Sequence, residues 1–326
     1  MQAILGVTIP FFALVLCGYV AGQRRVLPEA AIPGLNIYVL FFALPCMLFR
    51  FGASMPFERL IDPVLIGLYA VAAVLVVCFT VAATWRPPAG RHGVDLKNAA
   101  FGALVAAFPN TGFMGVPLLV ALFGERAAGP VIGTVLTDLI LTSTLCIALA
   151  QWSDARGAGL KASIVRPLQS ALTNPLPWSI ALGAGFAATG LQLPGAVSQI
   201  VKMLGDSATP VALFTIGTVL WRAGQHAHSR TPARDYVPVA LIKLLVHPLL
   251  VGGLGLLARY AGMPVSGFGL TVLMLAAALP SASNVSLLAE RYGADNGRVA
   301  RIIMASTVLA FGSFSVLAWL LDASGP

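Results

Sequence analysis

The chain has 326 residues, 58% of them hydrophobic and 10% charged, with a mean hydropathy of +0.88, which excludes a soluble globular protein and points to an integral membrane protein. Its 20 Lys and Arg against 12 Asp and Glu give a net charge of +8, but the basic residues form no single patch interleaved with aromatics, so a nucleic-acid partner is not expected. Cys17, Cys46, Cys78 and Cys146 all lie in apolar stretches without C-x-x-C spacing or a nearby histidine, so neither a disulfide framework nor a metal site is expected.

Ten apolar stretches of bilayer length follow one another, at 3–21, 31–49, 63–85, 97–123, 130–152, 172–190, 198–221, 237–260, 267–292 and 299–321. The first has no basic residues ahead of it and no cleavage-like site behind it, and reads as a retained helix. Taking alternate loops, 14 Lys and Arg fall on one side and 5 on the other, with Lys243 inside a span. The positive-inside rule then puts the richer side in the cytoplasm and both termini outside.

Span 2 carries Asn36, either a helix-to-helix hydrogen bond or a scaffold contact to a ligand. Span 4 is interrupted by Phe108-Pro109-Asn110-Thr111-Gly112, and span 9 by Leu279-Pro280-Ser281-Ala282-Ser283-Asn284. A proline inside a span removes one N–H and crowds the carbonyl four residues back, and hydrocarbon offers no water to satisfy what is freed. If the helices open at Pro109 and Pro280, two half-helix starts face one midplane site. The N–H groups and side chains of Asn110, Thr111, Gly112, Ser281, Ser283 and Asn284 would then suit a carboxylate. The alternative is that both prolines only kink continuous helices.

Asp138 in span 5, Asp206 in span 7 and Lys243 in span 8 are ionisable groups far from helix ends. A lone charge at the bilayer centre costs at least about 2.5 kcal/mol, so each should face protein or water. Asp138 with Lys243 is one candidate pair that could couple movement to protons or Na+; Lys243 could instead snorkel, and Asp206 could be purely structural. No phosphate loop of the form G-x-x-x-x-G-K-[ST] occurs, and no cofactor is expected.

The loop at 153–171 divides the chain into 1–152 and 172–326, five spans each, and an odd number per half inserts the second half upside down. Ala43 to Phe49 matches Ala208 to Phe214 at four of seven positions, and Ala106-Ala107-Phe108-Pro109 echoes Ala277-Ala278-Leu279-Pro280.

The chain resembles the auxin efflux carrier family, which includes plant auxin carriers and bacterial malonate-type carriers. The resemblance rests on Ala43-Leu44-Pro45 with Leu48-Phe49, the run Pro109 to Pro117, Leu204-Gly205-Asp206 with Pro210 and Phe214 to Gly217, Lys243 with Pro248, and Pro280 to Asn284. It implies an all-α membrane fold of ten helices in a five-plus-five inverted repeat, with spans 4 and 9 broken and crossing beside the substrate. It also implies a homodimer built on a scaffold of spans 1, 2, 6 and 7, in a bacterial inner membrane. The long hydrophilic central loop of the plant carriers is missing. The expected function is secondary transport of a small organic anion, a carboxylate or dicarboxylate such as malonate, by alternating access. An anion channel and an intramembrane enzyme are the alternatives; the second lacks any catalytic set.

Overall fold

The computed structural model describes residues 2–54, 60–86, 93–152, 173–225 and 231–321; the expected linker 153–171 and the loop histidines His92, His226 and His228 lie outside them. Among the described residues every regular element is helical, the form in which a single lipid-exposed segment satisfies its own backbone.

The first span is α1, Gln2–Gln23. The second is α2, Ile32–Tyr38, which runs through a π-helical turn, Val39–Ala43, into α3, Leu44–Ser54. The third is α4, Pro63–Thr84. The fourth is split into α5, Leu96–Ala107, and a π turn, Thr111–Gly115, leading into α6, Val116–Phe123. The fifth joins α7, Ala128–Thr137, to α8, Ser143–Trp152, through a π turn at Asp138–Thr142. α9, Pro175–Thr189, and α10, Gly195–Gln225, follow. The eighth joins α11, Ala233–Leu241, to α12, His247–Tyr260, through a π turn at Ile242–Val246. The ninth is again split, into α13, Gly267–Ala277, and α14, Val285–Arg291, and α15, Asn296–Leu320, is last.

Seven of these helical runs are long and apolar enough to cross a membrane among the described residues. Three predicted spans are not among them: the fourth and ninth, which are broken, and the sixth, of which α9 holds 15 residues. Helix starts follow local chemistry. Asp62 accepts from the amides of Val64 and Leu65 ahead of α4, with Pro63 in the first position, and Asn174 does the same for α9 ahead of Pro175. Asp95, Ser266 and Asp295 cap α5, α13 and α15.

The helices pack as two groups. In the first, α1 lies along α10 and α9 lies along α3, with α3 against α10. Both long crossings are made at glycines. A Cβ on Gly18 would sit 1.9 Å from the Phe214 carbonyl oxygen and one on Gly217 1.9 Å from that of Val15; one on Gly183 would sit 2.3 Å from that of Phe49. Small residues let helix backbones touch where lipid gives no hydrophobic drive to associate.

The second group holds α4 to α8 and α11 to α15. Arg298 ties three of its helix starts together, donating from Nη1 to the Asn98 carbonyl at 2.7 Å and from Nε to the Asp235 carbonyl at 2.8 Å. The side chain of Asn98 in turn accepts from the Asp295 amide at 2.7 Å. The breaks of the fourth and ninth spans lie inside this group, facing the first.

Candidate functional site

The two interruptions meet. Phe108 leaves α5 in an extended conformation, and Pro109 forms an isolated antiparallel bridge with Ser281. The Asn110 amide donates to the Pro280 carbonyl at 2.8 Å, and the Ala282 amide donates to the Phe108 carbonyl at 3.0 Å. Each break thus satisfies backbone groups of the other, which is how non-helical backbone persists at membrane depth. Gly115 permits the closeness: a Cβ there would lie 2.6 Å from Leu279 Cδ1.

This pairing differs from two freely presented half-helix starts. The amides of Asn110 and Ala282 are used across the break, that of Thr111 bonds the Pro109 carbonyl at 2.8 Å, and that of Ser281 bonds Ser306 Oγ at 3.1 Å. The second halves also begin later than the prolines, at Thr111 and at Val285, because Pro109 and Pro280 sit in extended segments. What the crossing offers a ligand is therefore its side chains, together with the amides of Gly112 and Ser283 that these bonds do not use.

Those side chains divide between two cavities, with Asn284 in both. Asn110, Thr111, Gly112 and Asn284 line one small cavity of about 30 Å³, closed from the other helix group by Leu40 and Leu176. Thr111 is fully buried and its hydroxyl has no hydrogen-bond partner. Ser283 and Asn284 also line a larger cavity of about 320 Å³ with Asn36 and Arg222. Asn36 thus faces the break from the scaffold group. Ser281 points instead to Ser306, whose hydroxyl donates to Ser281 Oγ at 3.1 Å.

A third cavity, about 920 Å³, lies beyond Pro117 and is lined by Arg50, Thr209 and Asp206 but by none of the break residues. Asp206 is half exposed there and holds Arg50 at 2.7 Å and Lys202 at 2.8 Å. It is a water-facing partner of two cations, which is the structural role the sequence left open, and not a shielded carboxylate.

Asp138 and Lys243 are both fully buried in the second group, so neither snorkels. They do not bond each other. Asp138 accepts from Tyr69 Oη at 3.1 Å and from Thr142 Oγ1 at 3.1 Å, while Lys243 donates to the Ala277 carbonyl. That carbonyl closes α13 immediately before the second break, where a cation opposes the negative helix end. His247, one turn on, lies 3.5 Å from Lys243 Nζ through Nδ1 and packs tilted against the Tyr69 ring. Lys243 therefore addresses the closing turn of α13, with His247 beside it. Asp138 and Lys243 each sit in a π turn, a distortion that recurs at functional sites.

The membrane transport protein family matches residues 3–319 of this chain. The chain belongs to this family, that of the auxin efflux carriers. It is 27% identical over 326 residues to the "Putative malonate transporter" of Rhizobium meliloti, covering 98% of this chain and 97% of that one. It is 25% identical over 308 residues to the "Uncharacterized transporter YfdV" of Escherichia coli, covering 94% of each. Auxin efflux carrier component 8 of Arabidopsis thaliana is 21% identical over 366 residues, covering 98% of this chain and 97% of that one. These relatives and the family are named as transporters, and this chain is a membrane transporter and not an enzyme. In this transporter the sequence did not single out Tyr69, Thr142, His247, Ser306 or Arg222. The usable signals were faint: His247 follows Lys243 by one helical turn, and Arg222 closes a span from the cytoplasm-assigned side.

Proposed function

We propose that this transporter is a secondary carrier for a small organic anion, a carboxylate or dicarboxylate of the malonate kind, which binds where the fourth and ninth spans cross. The observation that carries the reading is the buried crossing itself, in which Thr111 keeps an unpartnered hydroxyl beside Asn110 and Asn284 in a small cavity. A buried polar group without a partner costs about 1–3 kcal/mol, a cost a ligand acceptor would remove.

At about 30 Å³ the crossing has room for water and not for a multi-atom carboxylate. Substrate entry therefore needs the scaffold residues Leu40 and Leu176 to separate from the breaks, and this is alternating access between two packed groups. The cavity at Arg222 already reaches Ser283 and Asn284, whereas the cavity at Arg50 stops at Pro117. With both termini outside, the first of these opens to the cytoplasm, and the state is the inward-facing one.

The neutral amides and hydroxyls hold the anion without a fixed opposing charge at the crossing, which permits release once the site reopens. The paired crossings of α1 with α10 and α9 with α3, each at glycines, support a five-plus-five inverted repeat of ten spans with a scaffold of spans 1, 2, 6 and 7. Dimerisation through that scaffold in a bacterial inner membrane completes the reading. Asp138, with Tyr69, Thr142 and the nearby Lys243, is the group through which protons or Na+ would couple to movement.

The test is flux in proteoliposomes: saturable [14C]malonate uptake stimulated by malonate on the opposite side is expected. Unitary currents in a planar bilayer would show a channel and end the carrier reading.

A further inference from the structure

We infer that Arg222 forms an anion-capture site at the mouth of the 320 Å³ cavity, a station that a carboxylate occupies before it reaches the crossing. The cavity is lined on the scaffold side by Asn36 and Arg222 and on the other side by Ser283, Asn284, Ser286 and Asn296, so the break residues form its floor and the arginine its rim. Donors dominate this lining. The guanidinium alone carries five N–H groups in a fork that matches a carboxylate, and the carboxamides of Asn36 and Asn284 add more. Glu290, at the lip, is the one carboxylate lining the cavity.

Arg222 faces Glu29 through Nε at 3.7 Å, too long for a hydrogen bond, with its side chain 29% exposed. An incoming carboxylate can take the fork while Glu29 relaxes into water, and Glu29 reclaims the arginine when the anion moves on. The competition explains why a full positive charge at the mouth does not trap the substrate. On the opposite face Arg50 stands in the 920 Å³ cavity under a closer hold, donating to Asp206 at 2.7 Å.

This inference rests on the organic-anion reading, and its test separates the two. Wild-type chain, R222Q, R222K and E29Q are compared in proteoliposomes with [14C]malonate as the probe. R222Q should raise the half-saturating malonate concentration about tenfold, the scale of one charge-assisted contact, with maximal counterflow within about twofold of wild type. R222K should fall between, and E29Q should lower the half-saturating concentration. In parallel, A223C in a background lacking the four native cysteines is labelled with anionic sulfonatoethyl and cationic trimethylammonioethyl methanethiosulfonates. The anionic reagent should react faster, and R222Q should reverse the preference. Malonate counterflow with unchanged half-saturation in R222Q, or a reagent preference that R222Q leaves intact, overturns the capture site. Loss of the reagent preference in R222Q without any malonate counterflow in wild type supports anion capture and overturns malonate as the cargo.

Discussion

The Asn110 amide donates to the Pro280 carbonyl at 2.8 Å, so the two interrupted helices hold each other at the points where each fails. Neither helix could leave this geometry without breaking a backbone bond of the other.

Ser306 supports that crossing from α15 by accepting the Ser281 amide at 3.1 Å. Ser306→Ala leaves a buried N–H unpaired and should destabilise the protein by about 1–3 kcal/mol. Counterflow should fall further than stability alone accounts for, because the break loses its support. Thermal unfolding alongside flux checks this; unchanged melting and flux would show that the bond is dispensable.

The crossing of α1 with α10 leaves no room for a side chain. Gly18→Val and Gly217→Val force the backbones apart and should cost about 1–3 kcal/mol or more, with a melting temperature lower by at least about 3 °C. Gly312→Ala, where a Cβ meets nothing within 4 Å, should melt within about 1 °C of wild type. Equal melting of all three in detergent-solubilised protein would contradict the packing.

Lys243 and Asp138 lie in one buried cluster and interact electrostatically without direct contact. Lys243→Met removes the donor to the buried Ala277 carbonyl and the nearby cation, and should destabilise by about 1–3 kcal/mol, while Lys243→Met with Asp138→Asn should cost less than the sum of the two single changes. A strictly additive double variant in thermal unfolding would show that the two groups are independent. In the same series, Asp138→Asn should retain malonate exchange while losing stimulation by an imposed proton or Na+ gradient.

Much of this was legible in the sequence because prolines and polar residues inside apolar runs have few explanations. Pro109 and Pro280 marked both breaks, and Asn110, Thr111 and Asn284 do share a cavity. What escaped depended on partners distant in the chain. The partners of Asp206 were not identified because Arg50, 156 residues earlier, cannot be seen as its neighbour in one dimension. The backbone pairing of Pro109 with Ser281 has no side-chain signature at all, so donors that seemed reserved for a ligand are spent between the breaks. The π turns at Asp138 and Lys243 likewise arise from packing and leave no mark on the apolar pattern.

The central claim is that the carboxylate binds at the crossing, and counterflow of [14C]malonate by Asn110→Ala and Asn284→Ala, each confirmed folded by its melting curve, tests it most directly. The account predicts a loss of about tenfold or more in kcat/KM for both, since each removes a side-chain amide from the cavity that Thr111 also lines. Wild-type exchange in both folded variants would contradict it.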